Sequence, residues 1–538
     1  MASNKNTFNV YLLRNGIKDI DSPLKTDFQY KDKVEHYELK NPLVGKAHVW
    51  SSRPHPPAWV KKVDSAIEGD VLAKLKIKSA SALLIVKANK RYFAVTYGHG
   101  LSYLNQNYIV RGFGLKVVLN AIDPEKIRSL STKTIEGNTL STKKDSSQIS
   151  ELSFFAPNAA RDLIKKITAV PMDTKLFGAR LSGSDAIKLS LNSTILEFNK
   201  IAEDLLEYYK KENYKNSFAW IDNLQPIIGE KIEELNGLLD GRLKSKNYEN
   251  MHLALSESPD WEDIEGFYFY EETKKNVPTL YADTTLDDAF RELGQRYKRD
   301  FLDVRFLKDK HFYLQYSGSS NSKSNSYYHS LIFEISDDSG TYILSDSQWF
   351  MIERDWLKQV HLKVSNINVN HNLYLPISDY EETEPVYNKK AANEIKALPL
   401  DAQSIPYGVI GSKVEVCDIL TEKELIHVKR KIKSSTLSHL FNQGVVSAKL
   451  LKNRKDFRDK VIDKFKESYK EISDIITADI PSKLEVVYVI IAPNSENFTA
   501  QNLPFFSQLS LLDAIEELTD LGYKFSIKFV EAKKELVK

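Results

Sequence analysis

Alternating apolar and polar positions dominate the start of the chain. Phe8-Asn9-Val10-Tyr11-Leu12-Leu13 reads as a strand, and Pro54, Pro56 and Pro57 mark an exposed turn. Ala82-Leu83-Leu84-Ile85-Val86 and Tyr92-Phe93-Ala94-Val95-Thr96-Tyr97, joined by Ala88 to Arg91, form two apolar runs around a short polar turn, the mark of a hairpin. The polar stretch from Lys133 to Ser150 predicts a linker or long exposed loop, whereas Ala159 to Thr168 and Thr194 to Lys211 carry apolar residues at helical spacing. In the second of these, Ile195, Phe198, Ile201, Leu205, Leu206 and Tyr209 make one stripe, expected to be core. From Trp261 to about Asp379 the pattern changes to short aromatic and β-branched runs such as Phe267 to Tyr270, His311 to Leu314 and Leu331 to Ile335. The serine-rich stretch Ser317 to Ser326 divides two of them as a loop, and the acidic segment from Tyr380 to Pro385 marks a boundary.

The last 150 residues or so alternate strands and helices, which predicts a mixed central sheet. Lys389 to Leu398 reads as a helix, Val409 to Gly411 as part of a strand or its turn, and Lys413 to Leu420 as a strand. Glu424 to Arg430 follows across the turn Thr421-Glu422-Lys423-Glu424. Ser434 or Ser435 then caps a helix to about Leu451, with Leu437, Leu440, Phe441, Val445, Ala448 and Leu451 as its buried stripe. Glu485 to Ala492 is a buried strand, Leu511 to Leu521 a helix stopped by Gly522, and Phe525 to Val530 the final strand.

Composition sets the outer bounds. With 538 residues, 42% of them hydrophobic, the chain exceeds what one core usually organises, and three domains are expected within a range of two to four. The boundaries fall at 1–258 for an α+β N-terminal region that senses or binds a partner, 259–385 for a β-rich middle domain, and 386–538 for the C-terminal domain. Lys and Arg number 75 against 73 Asp and Glu, so a basic surface has to be local. The one cysteine, Cys417, excludes a disulfide framework and a four-thiolate zinc site. The start of the chain lacks a signal-peptide pattern and no apolar run reaches membrane-span length, so a cytoplasmic protein without membrane contact is expected, with self-association left open.

Candidate chemistry collects in the C-terminal hairpin. If the four-residue turn sets the register, Leu420 faces Leu425, Asp418 faces His427, and Lys429 shares their face two residues on. An acid, an imidazole and an ammonium would then converge. The alternative is a structural Asp418–His427 pair with Lys429 reaching past it to solvent. Glu415 falls on the opposite face against Arg430 and joins the site only if a bulge intervenes. Thr436, His439, Gln443 and Ser447 line one flank of the following helix. That flank reads as solvated, except that Gln443 is placed to contact a ligand over the strands. Arg430, Lys431, Lys433, His439, Lys449 and Lys452 form the local basic patch suited to nucleic-acid phosphates, with DNA favoured over RNA. Gly98-His99-Gly100 and Gly112-Phe113-Gly114 read as turns, with anion binding the weaker alternative. No Gly-x-Ser-x-Gly elbow and no His-Glu-x-x-His helix is present, and Cys417 lies in a strand rather than at a helix N-terminus.

These residues resemble a known family. Asp418, then His427-Val428-Lys429-Arg430 on the second of two strands followed by a helix and another strand, looks like the PD-(D/E)XK nuclease core, in particular its Mrr-like restriction branch. The resemblance spans roughly Lys389 to Val530. More of the chain resembles a bacterial family described as sporadically distributed proteins. That likeness rests on Phe113-Gly114-Leu115 with Leu119 to Asp123, Gly183-Ser184-Asp185-Ala186, and Ile426 to Arg430 with Leu437 to Gly444.

The nuclease resemblance implies an α+β multi-domain protein with a C-terminal α/β mixed-sheet, restriction-endonuclease-like core. It also implies a divalent metal (magnesium, manganese or zinc) on Asp418, His427 and Glu415, with Asp418, His427, Lys429 and Gln443 as catalytic residues. The metal would polarise a phosphodiester and acidify water, and Lys429 would counter the developing charge. His427 departs from the usual Glu, Asp or Gln. An imidazole ligand would favour manganese or zinc, or the ring would act as a base, or the fold would serve as a binding module without turnover. Glu394 and Asp401 are further acids expected at the surface. The expected setting is a bacterial antiviral or mobile-element system, and the rival reading is a non-catalytic nucleic-acid- or partner-binding module.

Overall fold

The computed structural model describes residues 5–533, apart from 27, 29–30, 58, 65, 68–73, 135–139, 160–161, 256–258, 260, 272–277, 317–322, 380–381, 408–411, 431–433, 468, 478, 493–494 and 496–497. The chain is mixed α+β, built on several sheets.

Alternation in the first half builds a ten-stranded antiparallel sheet, with Asn6–Leu12 near its middle between Arg91–Tyr97 and Ala186–Leu191. The expected hairpin is present, with Ala82 opposite Tyr97 and Val86 opposite Phe93. Helices Phe113–Ala121 and Phe198–Lys210 cover one face; Phe198, Ile201, Leu205 and Leu206 join the core as the helical stripe foretold, and Phe113 and Val117, where a turn was expected at Gly112 to Gly114, join it from the first helix. Gly112 adopts φ +67° at the N-terminus of the first helix and donates its N–H to Asp185 Oδ1 at 2.8 Å. A Cβ on Gly114 would stand 2.0 Å from the Ala186 carbonyl oxygen. Gly114 therefore lets helix and strand touch, and Gly112 supplies the left-handed turn that leads into the helix.

Two expectations in this region are overturned. In the segment from Ala159 to Thr168, the described residues from Asp162 on are not helical. Asp162–Pro171 is a strand between Leu181–Gly183 and Ile122–Thr134. Its register slips at Lys165, since Ser131 faces Lys166 while Thr132 faces Ile164, leaving Lys165 as an extra residue. The bulge puts the buried Ile164 and Ile167 three apart, which mimics a helical period. The stretch from Lys133 to Ser150 is no linker either. Ile122–Thr134 runs into it and Ser141–Ser150 pairs back, with residues 135–139 outside the description.

The middle region holds a five-stranded antiparallel sheet in the order Leu224–Pro226, Gln348–Ile352, Gly340–Ser345, Leu331–Asp337, Met251–Leu253. Its first and last strands come from before residue 259, so the sheet begins earlier in the chain than the aromatic texture suggested. A three-stranded sheet, Ile264–Tyr268, His311–Tyr316 and Lys323–Ser326, stands beside it. The last of these occupies part of the expected serine loop, whose residues 317–322 lie outside the description. Ile332, Ile343 and Ile352 pack against Phe505, Phe506 and Leu509, so the middle sheet and the C-terminal domain share a core.

The C-terminal sheet runs Leu398–Pro399, Ile419–Leu420, Glu424–Arg430, Glu485–Ala492, Lys524–Glu531, antiparallel over the first three strands and parallel over the last. Helix Ser434–Asn453 covers one face through Leu437, Leu440, Phe441, Val445, Ala448 and Leu451, all buried as the pattern required. Helix Glu384–Glu394, which starts earlier than Lys389 and ends before Leu398, covers the other through Tyr387, Ala391 and Ala392 against Ile426, Val428 and Val489. Truncating one of these buried aliphatics to Ala costs about 2–5 kcal/mol. The expected strand from Lys413 to Leu420 is broken. Ser412–Val414 pairs with Ile405–Tyr407 in a separate ribbon, and only Ile419–Leu420 joins the main sheet. Val409 to Gly411 lie outside the described residues. Among the described residues, no helix is long and apolar enough to cross a membrane.

Candidate metal centre

The break in that strand builds the site. The hairpin register is the one expected, with Leu420 opposite Leu425 and Ile419 opposite Ile426. Upstream of it, residues 415–418 follow an irregular path, which the neighbouring elements fix by hydrogen bonds. The Asp418 N–H donates to the Ile426 carbonyl at 2.9 Å, and its own carbonyl accepts from the N–H groups of Leu400 (2.8 Å) and Asp401 (3.2 Å). From the covering helix, Ser447 Oγ donates to the Val416 carbonyl, and Gln443 Nε2 donates to Glu415 Oε2 at 2.9 Å.

The result is that Asp401, Glu415 and Asp418 each offer a carboxylate oxygen, and these oxygens lie within 4.8 Å of one another. Asp418 is 3% exposed, and the other two are half-buried. Burial pushes the Asp418 carboxyl up to about 8. The Val428 N–H, which donates to Oδ2 at 2.7 Å, opposes that rise, and the carboxylates of Asp401, Glu384 and Glu415 add to it. Three carboxylates that repel one another in a half-buried recess are a donor set suited to a hard divalent cation.

Lys429 Nζ stands 2.7 Å from Glu384 Oε1, at the first turn of helix Glu384–Glu394, with both side chains about a quarter exposed. Glu384 is thus the acid that holds Lys429 and also raises Asp418. Its other oxygen accepts the Arg430 N–H at 3.3 Å.

His427 takes no part in the carboxylate cluster. It is fully buried, its ring nitrogens are both without a hydrogen-bond partner, and burial pushes it down to about 3. Its ring packs near Tyr488, with 6.2 Å between centroids. The expectation of His427 as a metal ligand or base is therefore corrected: Asp401 completes the cluster. The preference for zinc that an imidazole would bring goes with it. Glu415 joins the site as the bulge condition required, though through a broken strand, and it does not pair with Arg430.

The basic patch divides. Arg430 spends its guanidinium on Ser378 Oγ and on the carbonyls of Asp379 (3.1 Å) and Glu382 (2.7 Å), and Lys452 donates to the Leu521 carbonyl at 2.9 Å. His439 and Lys449 are exposed on helix Ser434–Asn453. Lys431 and Lys433 lie outside the described residues. Glu394 accepts the Tyr374 hydroxyl at 3.0 Å, away from the cluster. Sequence reasoning set Asp401 aside as a surface acid and missed Glu384. The signal for Glu384 was the Thr383-Glu384-Pro385 start of a helix, with an acid in the first turn and Pro next to it.

A family model described as "Family of unknown function (DUF6119)" matches residues 8–531. The chain belongs to that family. The DUF6119 match runs through all the sheets described above, so the acid cluster and the upstream regions form one family unit. No curated protein and no solved structure matches the chain.

Proposed function

We propose that the C-terminal domain is a divalent-metal-dependent nuclease that cleaves nucleic-acid phosphodiester bonds, DNA in preference to RNA, in a bacterial antiviral or mobile-element system. The observation that carries this reading is the convergence of Asp401, Glu415 and Asp418 within 4.8 Å, next to Glu384 with its partner Lys429. The order of elements supports it: Asp418 precedes one strand, Lys429 is the last residue but one of the next, and a helix and a parallel strand follow, as in the PD-(D/E)XK resemblance. Asp401, Glu415 and Asp418 are the groups that would hold the metal, with magnesium or manganese favoured by an all-oxygen set. A cation bound there would polarise the scissile phosphate and lower the pKa of water.

The rest is work of the chain's own residues. Gln443 orients Glu415, and the Val428 N–H orients Asp418. Glu384 positions Lys429, whose ammonium offers a positive charge for the phosphate. His427 fills the position where the resemblance expects an acid, and its burial beneath helix Ser434–Asn453 makes it a packing residue.

The test is cleavage of supercoiled, linear and single-stranded DNA and of RNA with magnesium, manganese or zinc, comparing wild type with Lys429→Ala. Cutting that disappears in the variant is the expected result. Absence of cutting with every metal, together with full biological activity of Lys429→Ala, would overturn the reading. The replacement of the expected acid by a buried histidine favours one second reading, a nucleic-acid-binding module without turnover. Such a module would tolerate Asp418→Asn and lose affinity steeply with salt.

A further inference from the structure

A second cluster of buried charge lies far from the carboxylates in sequence, where the ten-stranded sheet meets the middle sheet. The strands Gly340–Ser345 and Gln348–Ile352 are joined by Asp346 and Ser347, both in the left-handed region with φ +51° and +63°. That turn fits the strand twist but is usually built from Asn and Gly, so this pair carries backbone strain. Lys133 Nζ (2.9 Å) and Lys165 Nζ (2.7 Å) clamp Asp346 from across the interface. Lys133 is 1% exposed, and Lys165 is the extra residue of the β-bulge, turned out of its sheet towards the aspartate. Ser347 Oγ sits 3.1 Å from His329 Nδ1.

Asp346, Ser347, Lys165 and His329 border a cavity of about 1310 Å³. Seven Lys and Arg side chains line it against four aspartates and no glutamate, a net charge of +3 in a chain whose total is +2. All four aspartates are occupied by the protein. Asp346 holds two lysines, and Asp185 holds Arg111 at 2.7 Å and the Gly112 N–H. Asp222 accepts the Tyr214 hydroxyl at 2.9 Å, and Asp162 accepts Thr134 Oγ1 at 2.7 Å. By contrast Lys25, Lys116, Lys166 and Lys308 hold no ion pair with a described residue. The Lys116 ammonium lies over the rings of Tyr209 and Tyr214 at 5.6 and 5.5 Å. Tyr209, Trp220 and Trp356 add aromatic surface to the walls.

We infer that this cleft binds a phosphate-bearing nucleotide ligand, either a free nucleotide or a stretch of single-stranded nucleic acid. Unpaired ammonium groups supply the counter-charge for phosphates, and aromatic walls suit bases. The volume exceeds the usual range of roughly 300–1,000 Å³ for small-molecule pockets, so an inorganic anion alone would leave most of it empty. None of Asp401, Glu415 and Asp418 borders the cleft, and the inference does not depend on the nuclease reading.

The test uses the full chain in EDTA at low salt, titrated by calorimetry with inorganic triphosphate, ATP and a short oligodeoxythymidine strand. Saturable binding of ATP or the strand is expected, weakened at least about tenfold by combined Lys25→Ala, Lys166→Ala and Lys308→Ala. A control carrying Lys210→Ala, Lys423→Ala and Lys470→Ala, all exposed elsewhere, should bind as wild type does, and so should Asp418→Asn. Lys166→Glu and Lys308→Glu, at exposed positions, give single-site checks if the triple variant unfolds. ATP and the strand distinguish the two sources of the ligand. The inference is overturned if neither binds, if triphosphate binds as tightly as ATP and the strand, if the cleft and control variants weaken equally, or if Asp418→Asn removes binding.

Discussion

Asp418 and Asp346 are both largely withdrawn from water, one 3% exposed and the other with 13% of its side chain exposed, yet they lie on opposite sides of the ordinary carboxylate range. Around Asp418 the nearest charges are carboxylates, so burial and repulsion act together and push its carboxyl up to about 8. Around Asp346 burial also pushes upward, but Lys165 and Lys133 outweigh it and hold the carboxyl well below its usual value. Burial alone therefore does not say what a charge is for. An acid supplied with lysines is a fastening between two sheets. An acid supplied with more acids is short of a cation.

That contrast is broken most directly by removing each charge. Asp346→Asn leaves Lys133 buried with no counter-charge and should cost about 3–5 kcal/mol in denaturant unfolding. Asp418→Asn removes a repelled carboxyl and should change stability by less than about 1 kcal/mol in the absence of metal. Equal losses in the two variants would show that the two environments do not differ as described. The next largest effect is that of added metal. Magnesium or manganese at a hundred times its Kd should raise wild-type stability by about 2.7 kcal/mol, and leave Asp418→Asn or Glu415→Gln without that gain. A melting temperature indifferent to metal in wild type would remove the cation from the account of Asp418.

Gln443→Ala should weaken metal binding about 10- to 100-fold by releasing Glu415, while leaving metal-free stability near wild type. Isothermal titration with manganese reads this, and an unchanged affinity would reduce Gln443 to a surface contact. The smallest effect is in pH. Since Asp346 titrates below its unfolded value of about 3.9, its contribution is complete above that value and fades as pH falls further. The stability gap between wild type and Asp346→Asn should thus stay level from about pH 5 upward and narrow below about pH 4. A gap that widens in acid would mean that Lys133 and Lys165 do not hold the carboxylate.

Legibility in the sequence followed the regularity of the backbone. The hairpin register at Leu420 and Leu425 and the buried stripe of helix Ser434–Asn453 were readable, because each follows one unbroken period and a recognisable turn or cap. The functional positions lie where a period breaks. Asp401 enters through main-chain hydrogen bonds from a short loop to the Asp418 carbonyl, and Glu415 enters because its strand ends at Val414. Neither event has a spacing to detect. The bulge at Lys165 did more than hide itself: by moving Ile167 to three residues after Ile164 it imitated a helix. His427 shows the opposite failure. Alternation set it on one face with Lys429 and against Asp418, but Lys429 pairs with Glu384 and the imidazole has no hydrogen-bond partner: alternation cannot tell a groove from a core, and helix Ser434–Asn453 made the face of His427 a core.

Cys417 adds a means of timing the site. It is the protein's sole thiol, fully buried, flanked by Val416 and Asp418, and burial together with Asp418 pushes it up, so little thiolate is present at neutral pH. A maleimide can reach it only after the 415–418 segment lifts from the Gln443 and Ser447 side chains that grip it. The alkylation half-life of this one sulfur is therefore a clock for excursions of the acid-bearing segment. A cation that ties Glu415 and Asp418 together should make that clock run slower.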